Sequence, residues 1–281
     1  GKYQLLCVDQ CIDNCRKLYY NPTPFKRMIK VEDVHKSFGD EEILKGITTE
    51  FDKGKTNLII GQSGSGKTVL LKCLLGLFRP EQGRIYYEDK AIQDMDDEEQ
   101  RKLREEIGML FQGGALFDSM NIEENVMFPL RMFTKQKKAD MLERVNEVLK
   151  RVNLENVNKK FPAEISGGMQ KRVSIARAIV NKPKFLFCDE PNSGLDPKTA
   201  TLIDTLIQEI THEYDITTVV VTHDMNSVME IGEKVVLLKH GKLVWQGTNQ
   251  EIFKTDNEDV TNFVYSSDLF KKIRDVQLKE G

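Results

Sequence analysis

A glycine-rich segment of the chain has the spacing of a polyphosphate-binding loop. The segment GQSGSGKT follows the apolar run NLII and precedes TVLLKCLLGLF, which predicts a strand, a loop and a helix in succession. Glycines allow backbone N–H groups to turn inward around phosphate oxygens, and the N-terminus of the helix adds partial positive charge. Lys67 can reach the β- and γ-phosphates, and the Thr68 hydroxyl can bind Mg²⁺. We therefore predict a nucleoside triphosphate site formed by Gly61, Gln62, Ser63, Gly64, Ser65, Gly66, Lys67 and Thr68.

Two adjacent carboxylates supply the acidic partners that such a loop needs. The segment KFLFCDEP predicts an apolar strand that ends at Asp189 and Glu190, so both side chains emerge at the carboxyl edge of a sheet. There Asp189 can hold Mg²⁺ through water, and Glu190 is placed to act as the general base toward an attacking water. A base at this position indicates an ATPase rather than a kinase. The loop alone is shared by kinases, GTPases, helicases and transporter motors.

A second anion site follows in the segment EISGGMQKRVSIARAIV. Ser166, Gly167 and Gly168 stand at the start of a predicted helix, where they offer a hydroxyl and exposed backbone N–H groups. One γ-phosphate does not require two such sites on the same chain. Two copies related by a two-fold axis do require them, if each nucleotide lies between the phosphate loop of one copy and the Ser-Gly-Gly segment of the other.

Taken together, the motifs resemble those of the ATP-binding cassette family over about residues 28–250. They occur in the order of that family as GQSGSGKT, Gln112, ISGGMQ, FLFCDE, SGLD and His223 within VVVTHD. The resemblance implies an α/β fold of the P-loop NTPase class, with a RecA-like core, an antiparallel β-subdomain and an α-helical subdomain at about residues 113–180. It also implies hydrolysis of ATP with Mg²⁺ as cofactor, by a homodimer that closes on ATP and reopens to move a partner.

The resemblance assigns four further roles, residue by residue. Phe38 matches the aromatic residue that stacks on adenine, and Asp196 matches the aspartate that reaches across the dimer. Gln112 is similar to the glutamine that senses Mg²⁺ and the γ-phosphate at the contact with the membrane partner. His223 is similar to the histidine that contacts the γ-phosphate and orders the attacking water.

The elements that must position these residues can be read from the apolar periodicity. The segment MIKVEDVHKSFGDEEILKGITTEF alternates like short strands around a turn at Gly39 and Asp40, which predicts an antiparallel layer ahead of the core. Beyond the phosphate loop, strand and helix patterns alternate, and a hairpin turns at His240 and Gly241. We predict strands at residues 84–87, 107–111, 185–188 and 217–222, and helices at 68–78, at about 135–152, after 166 and at 198–213.

Composition narrows the classes of function. The chain has 281 residues and 40% hydrophobic content, enough for one large domain or a domain with a subdomain. Its 41 basic and 44 acidic side chains give a net charge of -3, so nucleic acid is not predicted as a partner. Five cysteines are too few for a disulfide scaffold, which favours a reducing compartment. The longest apolar stretch, residues 69–78, is far shorter than a membrane span.

Both ends of the chain fall outside this pattern. Residues 1–27 contain Cys7, Cys11 and Cys15 at four-residue spacing, which indicates either one metal-binding face or incidental thiols. Because MIKVEDV resembles a natural protein start, we interpret residues 1–27 as an upstream extension of unknown role. The tail, residues 251–281, either packs on its own domain or contacts a partner through Val260, Phe263, Val264, Leu269, Phe270 and Ile273.

The stretch FQGGALFDSMNIEENVMFPL, residues 111–130, combines two adjacent glycines with three phenylalanines and little charge. Either its apolar residues pack on a core, or they form a surface on which a cytoplasmic helix of a permease can seat. This stretch resembles the ATPases of Mla-type phospholipid transporters. Ile165 and Met169 replace the commonest Leu and Gln of the family signature, and Met after Ser-Gly-Gly also resembles the Mla type. The segment PNSGLDP is nearer to the general family.

These resemblances predict the ATPase subunit of a membrane transporter, bound to a separate permease at the cytoplasmic face of the inner membrane. For the Mla type the implied cargo is phospholipid. The implied partners are an MlaE-like permease, a lipid-binding MCE-domain protein and, optionally, a small STAS-domain subunit. One alternative is a cassette for amino acids or other small solutes. Another is a soluble cassette acting on DNA or ribosomes, but such proteins generally carry two cassettes or long insertions.

Overall fold

The computed structural model describes residues 27–265, which form two β-sheets and eight helices. The division of the chain into an extension, a cassette and a tail remains a prediction. Outside the described residues lie the predictions that concern Cys7, Cys11, Cys15, Leu269, Phe270 and Ile273.

The first sheet is a four-stranded antiparallel layer, as the alternating pattern predicted. Its strands are β1 (Arg27–Phe38), β2 (Glu41–Asp52), β4 (Gln82–Tyr87) and β5 (Lys90–Ala91), in the order β2-β1-β4-β5. The turn between β1 and β2 falls at residues 39–40, where Gly39 has a φ of 60°. Alternate apolar side chains of β1 and β2 are fully buried, namely Ile29, Val31, Leu44, Ile47 and Phe51.

The second sheet has six strands and forms the core of the α/β fold. Its order is β10-β9-β3-β8-β7-β6. All neighbours pair in parallel except β9 and β10, which form the predicted hairpin with His240 and Gly241 at positive φ. Its strands are β3 (Thr56–Ile60), β6 (Ile107–Leu110), β7 (Phe185–Asp189), β8 (Thr217–Thr222), β9 (Lys234–Lys239) and β10 (Lys242–Gly247).

Each face of the second sheet is covered by its own apolar cluster, because successive side chains of a strand point to opposite faces. Ile59 and Val219 lie in the cluster that includes the antiparallel sheet and the helix after the phosphate loop. Leu58 and Val220 lie in the other cluster, which contains most of the remaining helices. Gly108 in β6 allows close packing on this second side, since a Cβ there would lie 2.3 Å from the carbonyl oxygen of Ala178.

The helices connect the strands of the second sheet and supply the second layer. They are α1 (Lys67–Leu74), α2 (Asp97–Glu105), α3 (Ile122–Phe133), α4 (Lys138–Arg151), α5 (Gly167–Ile179), α6 (Pro197–Glu213), α7 (Met225–Ile231) and α8 (Glu258–Val264). The first helix is shorter than the predicted 68–78. It ends early because Gly76 adopts a φ of 69° and the N–H of Leu77 turns back to the carbonyl of Lys72, at 2.9 Å.

Helix α3 was not predicted from the sequence. Its signal is the capping box at its start, in which Asn121 accepts from the N–H of Glu124 at 2.9 Å and the Glu124 carboxylate accepts from the N–H of Asn121 at 3.0 Å. Pro129 lies inside the helix, which weakens the helical pattern of the sequence. The stretch at residues 111–130 is therefore a loop followed by most of helix α3.

Helices α3, α4 and α5 fall within the range predicted for a helical subdomain, residues 113–180. Helix α8 shows where the described part of the tail packs. Val260 and Val264 are buried in the apolar cluster on the helical side of the sheet, so this part packs on its own domain.

A buried asparagine in α3 holds the loop that precedes it. Asn125 is fully buried, and its amide oxygen accepts from the N–H of Phe117 at 2.8 Å. Its amide nitrogen lies within 3.1 Å of the carbonyl oxygens of Phe117, Met120 and Asn121. The carbonyls of Phe117 and Asn121 also accept from the N–H groups of Met120 and Asn125, so the bonds of the Asn125 side chain add to these turns and fix the path of residues 117–121.

We predict that Asn125→Ala destabilises the protein, because it removes the side-chain partners of the Phe117 N–H and the Met120 carbonyl. The expected loss of unfolding free energy is about 2 to 4 kcal/mol. Chemical denaturation followed by circular dichroism measures it. The matched control is Asn146→Ala, an exposed asparagine whose side chain bonds to Asn158, with an expected change within about 0.5 kcal/mol. Equal effects of both variants would contradict the role given to Asn125.

Candidate functional site

The candidate site lies where the carboxyl ends of neighbouring parallel strands meet. Strands β3, β8, β7 and β6 are adjacent in the second sheet, and each is followed by one of the predicted motifs. These motifs surround a cavity of about 760 Å³. The predicted residues that line it are Gln62, Ser63, Gly64, Gly66, Lys67, Thr68, Gln112, Asp189, Glu190 and His223.

The phosphate loop has the backbone that its sequence predicted. Gly66 caps α1 in the left-handed region at φ 102°, without a side-chain hydrogen bond to the first turn of the helix. Gly61 has a φ of 150°, and a Cβ there would lie 2.3 Å from the carbonyl oxygen of Leu238. Lys67 is buried, and its ammonium group donates to the carbonyls of Gly61 at 2.8 Å and Gln62 at 3.0 Å. The helix terminus and this cation together favour a bound anion.

Glu190 and His223 meet at the other side of the cavity. The Nδ1 atom of His223 lies 2.8 Å from Oε1 of Glu190, so the two side chains share a hydrogen bond. The backbone of Glu190 is left-handed, with a φ of 47°, and its N–H donates to the carbonyl of Val221 at 2.9 Å. A non-glycine residue in this region is uncommon, and the turn aims the carboxylate at the histidine of the neighbouring strand.

The acidic groups of the cavity suit a cation. Oδ1 of Asp189 and Oε2 of Glu190 are buried and have no hydrogen-bond partner in the described part of the chain. Burial raises the pKa of Asp189, and the negative charge of Glu190 adds to this effect. Burial lowers the pKa of Lys67, whereas Glu190 and Asp189 oppose that shift. Two ionisable groups of one cavity whose pKa values shift in opposite directions, Asp189 and Lys67, are typical of a functional site.

These residues fit Mg²⁺ bound together with a nucleotide. The orphaned oxygen of Asp189 and the Thr68 hydroxyl are hard oxygen ligands, and Gln112 adds an amide oxygen at the rim. Within residues 27–265, no group of three His, Cys, Asp or Glu side chains could hold a metal by itself. Mg²⁺ needs no such group when phosphate oxygens and water complete its shell, and it would neutralise charge on the phosphates.

Seven predicted residues do not line the cavity, and two of them, Gly61 and Ser65, belong to the phosphate loop itself. Ser166, Gly167 and Gly168 form the start of α5, and Asp196 caps α6 by accepting from the N–H of Thr199 at 3.1 Å. The two helix starts are neighbours, since a Cβ on Gly168 would lie 2.9 Å from the Thr199 methyl carbon. Phe38 is 46% exposed and packs edge-to-face on Phe78, with ring centroids 5.2 Å apart.

Four lining residues were not predicted, namely Glu41, Ile43, Val69 and Phe263. Phe263 comes from α8, some 200 positions after the phosphate loop, and the apolar spacing of the tail predicts a buried face without indicating which site it meets. Glu41 and Ile43 come from β2, whose alternation predicted a strand only.

Comparison with known proteins identifies the family. The model of the ABC transporter family matches residues 44–193. The chain belongs to the ABC transporter family. It is 42% identical to the methionine import ATP-binding protein MetN of Clostridium tetani over 242 residues, covering 86% of this chain and 76% of that one. It is 39% identical to the probable ribonucleotide transport ATP-binding protein mkl of Mycobacterium leprae, covering 86% and 67%.

A solved relative bears on the reaction of this ABC ATPase. The dimeric ATP-binding cassette MJ0796, described in a post-hydrolysis state bound to ADP and Pi, matches with 34% identity and a TM-score of 0.72. The match covers 79% of this chain and 99% of that one. The chain is therefore an ATPase with the ABC fold, which uses ATP and Mg²⁺. ATPases of this family form dimers and work with membrane permease components. Among the described helices, none is long and apolar enough to cross a membrane.

We predict that Glu190→Gln lowers the rate of ATP hydrolysis by about 100-fold or more, because the amide cannot accept a proton from water. ATP binding should persist, so the variant should accumulate as an ATP-bound dimer. Phosphate release and light scattering after gel filtration measure the two effects. The control is Glu155→Gln, an exposed glutamate in the loop after α4. Hydrolysis at the normal rate by Glu190→Gln would remove Glu190 from the role of base.

Proposed function

We propose that this ABC ATPase energises phospholipid transport across or between envelope membranes. In this proposal it binds an Mla-type permease at the cytoplasmic face of the inner membrane, and the permease works with an MCE-domain lipid-binding protein and optionally with a STAS-domain subunit. The observation that carries the proposal is the apolar groove formed by the segment after Gln112, whose sequence resembles that of Mla-type ATPases.

The proposed catalytic cycle uses the cavity and the two helix starts that lie away from it. The phosphate loop with Lys67 holds the phosphates of ATP, while Thr68, Asp189 and Gln112 hold Mg²⁺. Ser166, Gly167, Gly168 and Asp196 face the nucleotide of a second copy, which accounts for their distance from the cavity of their own chain. In the closed dimer, Glu190 accepts the proton of the attacking water and His223 orders that water. Phe38, exposed at the end of β1, offers a ring face to adenine.

The apolar groove supports a docking site for a membrane partner. It has a volume of about 340 Å³ and lies between the segment after β6, helix α3 and the end of α5. Phe111 is 44% exposed and Phe117 is 41% exposed. Two exposed aromatic side chains in one groove are typical of a surface that another protein covers. Phe117 also packs against Phe128, with ring centroids 4.9 Å apart. Such a groove suits an amphipathic helix with apolar anchors.

Leu116 and Phe117 are adjacent in the stretch at residues 111–130, but their side chains have different environments. Leu116 packs against the core, whereas Phe117 lines the groove. The loop between them and Gln112 is fixed by Arg177 of α5, whose guanidinium donates to the carbonyls of Gly114 and Ala115, both at 2.8 Å. The same guanidinium lies 5.9 Å from the centre of the Phe117 ring. The groove is therefore rigid rather than a loose loop.

We predict that Phe117→Glu uncouples the ATPase from its permease, because a carboxylate cannot be buried in an apolar contact at low cost. The basal ATPase rate and ATP affinity should remain within about twofold, since Phe117 does not line the nucleotide cavity. Stimulation of ATPase activity by the reconstituted permease measures the coupling. Leu77→Glu, at another exposed apolar position, is the control. Loss of ATP binding in Phe117→Glu would instead indicate that Phe117 is a core residue, and it would contradict the docking role.

A small-solute transporter is the second candidate. It is favoured by the identity of 42% to a protein named for methionine import. The two candidates differ in the permease with which the chain pairs and in the molecule that stimulates hydrolysis.

The experiment that separates them uses the chain co-purified with the permease encoded beside it, in nanodiscs. Under the phospholipid proposal, ATP hydrolysis should respond to phospholipid composition and to the MCE-domain protein, and methionine with its binding protein should have no effect. A complex that forms only with a solute permease and ignores phospholipid would contradict the proposal.

A further inference from the structure

A cluster of buried polar side chains lies next to the site without lining its cavity. Asn192 is 7% exposed, Asp204 is 2% exposed and Ser227 is 1% exposed. They come from three separate elements, since Asn192 follows β7, Asp204 lies in α6 and Ser227 lies in α7. Because burying polar groups is costly, buried polar groups outside the cavity are expected to hold neighbouring elements together.

The three side chains form a closed set of hydrogen bonds. The Ser227 hydroxyl donates to Oδ2 of Asp204 at 2.6 Å, and the Asn192 amide nitrogen lies 2.8 Å from the Ser227 oxygen and 3.2 Å from the same Asp204 oxygen. The amide nitrogen also lies 3.4 Å from Oδ2 of Asp224. One carboxylate oxygen of Asp204 is thus the common acceptor of the set.

The cluster retains a charge at a cost to stability. Burial raises the pKa of Asp204 to about 6; the bonds from Ser227 and Asn192 lower it, while the charges of Asp224 and Glu230 raise it further. Oδ1 of Asp204 has no hydrogen-bond partner among the described residues. An ionised, half-satisfied carboxylate in the interior is weak support for stability, so its retention points to a positional role.

The cluster joins the two segments that carry the proposed base and the proposed histidine. Asn192 follows Glu190 by two residues, and Asp224 directly follows His223 and caps α7. Glu190 and His223 are joined by a hydrogen bond of 2.8 Å between their side chains. A shift of either segment by about 1 Å would break that bond.

We infer that Asp204 is a positioning residue for ATP hydrolysis, which acts through Asn192 and Ser227 to hold Glu190 against His223. The inference rests on the roles proposed above for Glu190 and His223. Asp204 does not contact the nucleotide cavity, so its removal should affect turnover rather than binding.

The test compares Asp204→Ala with Asp204→Asn by steady-state ATPase kinetics of the full chain. Asp204→Ala should lower kcat about tenfold, equivalent to the loss of about 1.4 kcal/mol of hydrogen bonding, and should leave KM for ATP within about twofold. Asp204→Asn should keep at least about half of the activity, because its amide oxygen still accepts both bonds. The control is Thr205→Ala, an adjacent exposed residue whose hydroxyl bonds to the Thr201 carbonyl within its helix.

A double-mutant cycle with His223→Ala tests whether Asp204 affects hydrolysis through the histidine. If Asp204 acts through the pair of Glu190 and His223, Asp204→Ala should have little further effect once the histidine is absent. If Asp204→Ala does not fold, Ser227→Ala carries the same test with a smaller expected loss of kcat.

Three results would each overturn the inference. The first is an unchanged kcat in Asp204→Ala, and the second is an equal loss of kcat in the Ala and Asn variants. The third is a full additional loss of kcat when Asp204→Ala is combined with His223→Ala. Normal hydrolysis by Glu190→Gln would instead contradict the assignment of the base. The two failures are therefore distinguishable.

Discussion

The parallel pairing of β3, β8, β7 and β6 is the constraint on which the site depends. In that register Ile60 lies beside Thr222, Asp189 beside Val221, and Leu110 beside Cys188. Four strands therefore end at nearly the same level, and the four loops that follow them enter one cavity. A slip of one residue in any pair would turn every side chain of that strand to the opposite face and would bury polar groups in the apolar clusters. The need to bury both faces of the sheet thus brings the segments that carry Glu190 and His223 to the same edge of the sheet.

The same burial gives the site its electrostatic character. Burial disfavours the charged forms of Asp189 and Lys67, so it raises the pKa of Asp189 and lowers the pKa of Lys67. Glu190 lines the same cavity, so two carboxylates lie near one ammonium group. Oδ1 of Asp189 and Oε2 of Glu190 have no hydrogen-bond partner among residues 27–265. A nucleotide with Mg²⁺ supplies both signs of charge that such a site needs. The fold itself therefore gathers these charged groups around one cavity.

Sequence patterns predicted the motifs and most strands, because each is specified by residues that are close in the chain. Strand β8 was predicted at its observed limits, since a run of β-branched residues between polar ends has few other interpretations. Helix α3 was missed because Pro129 and the phenylalanines obscure its period, although the capping box at Asn121 was readable. Leu116 and Phe117 could not be separated, because the choice between core and groove depends on Asn125 and Arg177. The cluster of Asn192, Asp204 and Ser227 joins residues up to 35 positions apart and has no local signature.

Helix α5 is capped by Ser166 and, eleven residues after that cap, lies beside the apolar groove through Arg177. If its first turn binds the nucleotide of a second copy, this one helix connects the ATP at its start with the permease near its end. Thermodynamic reciprocity then applies: a permease that binds the groove more tightly in the ATP-bound dimer must raise the affinity of that dimer for ATP by the same factor. A membrane partner would thereby set the nucleotide occupancy of a site that it never touches.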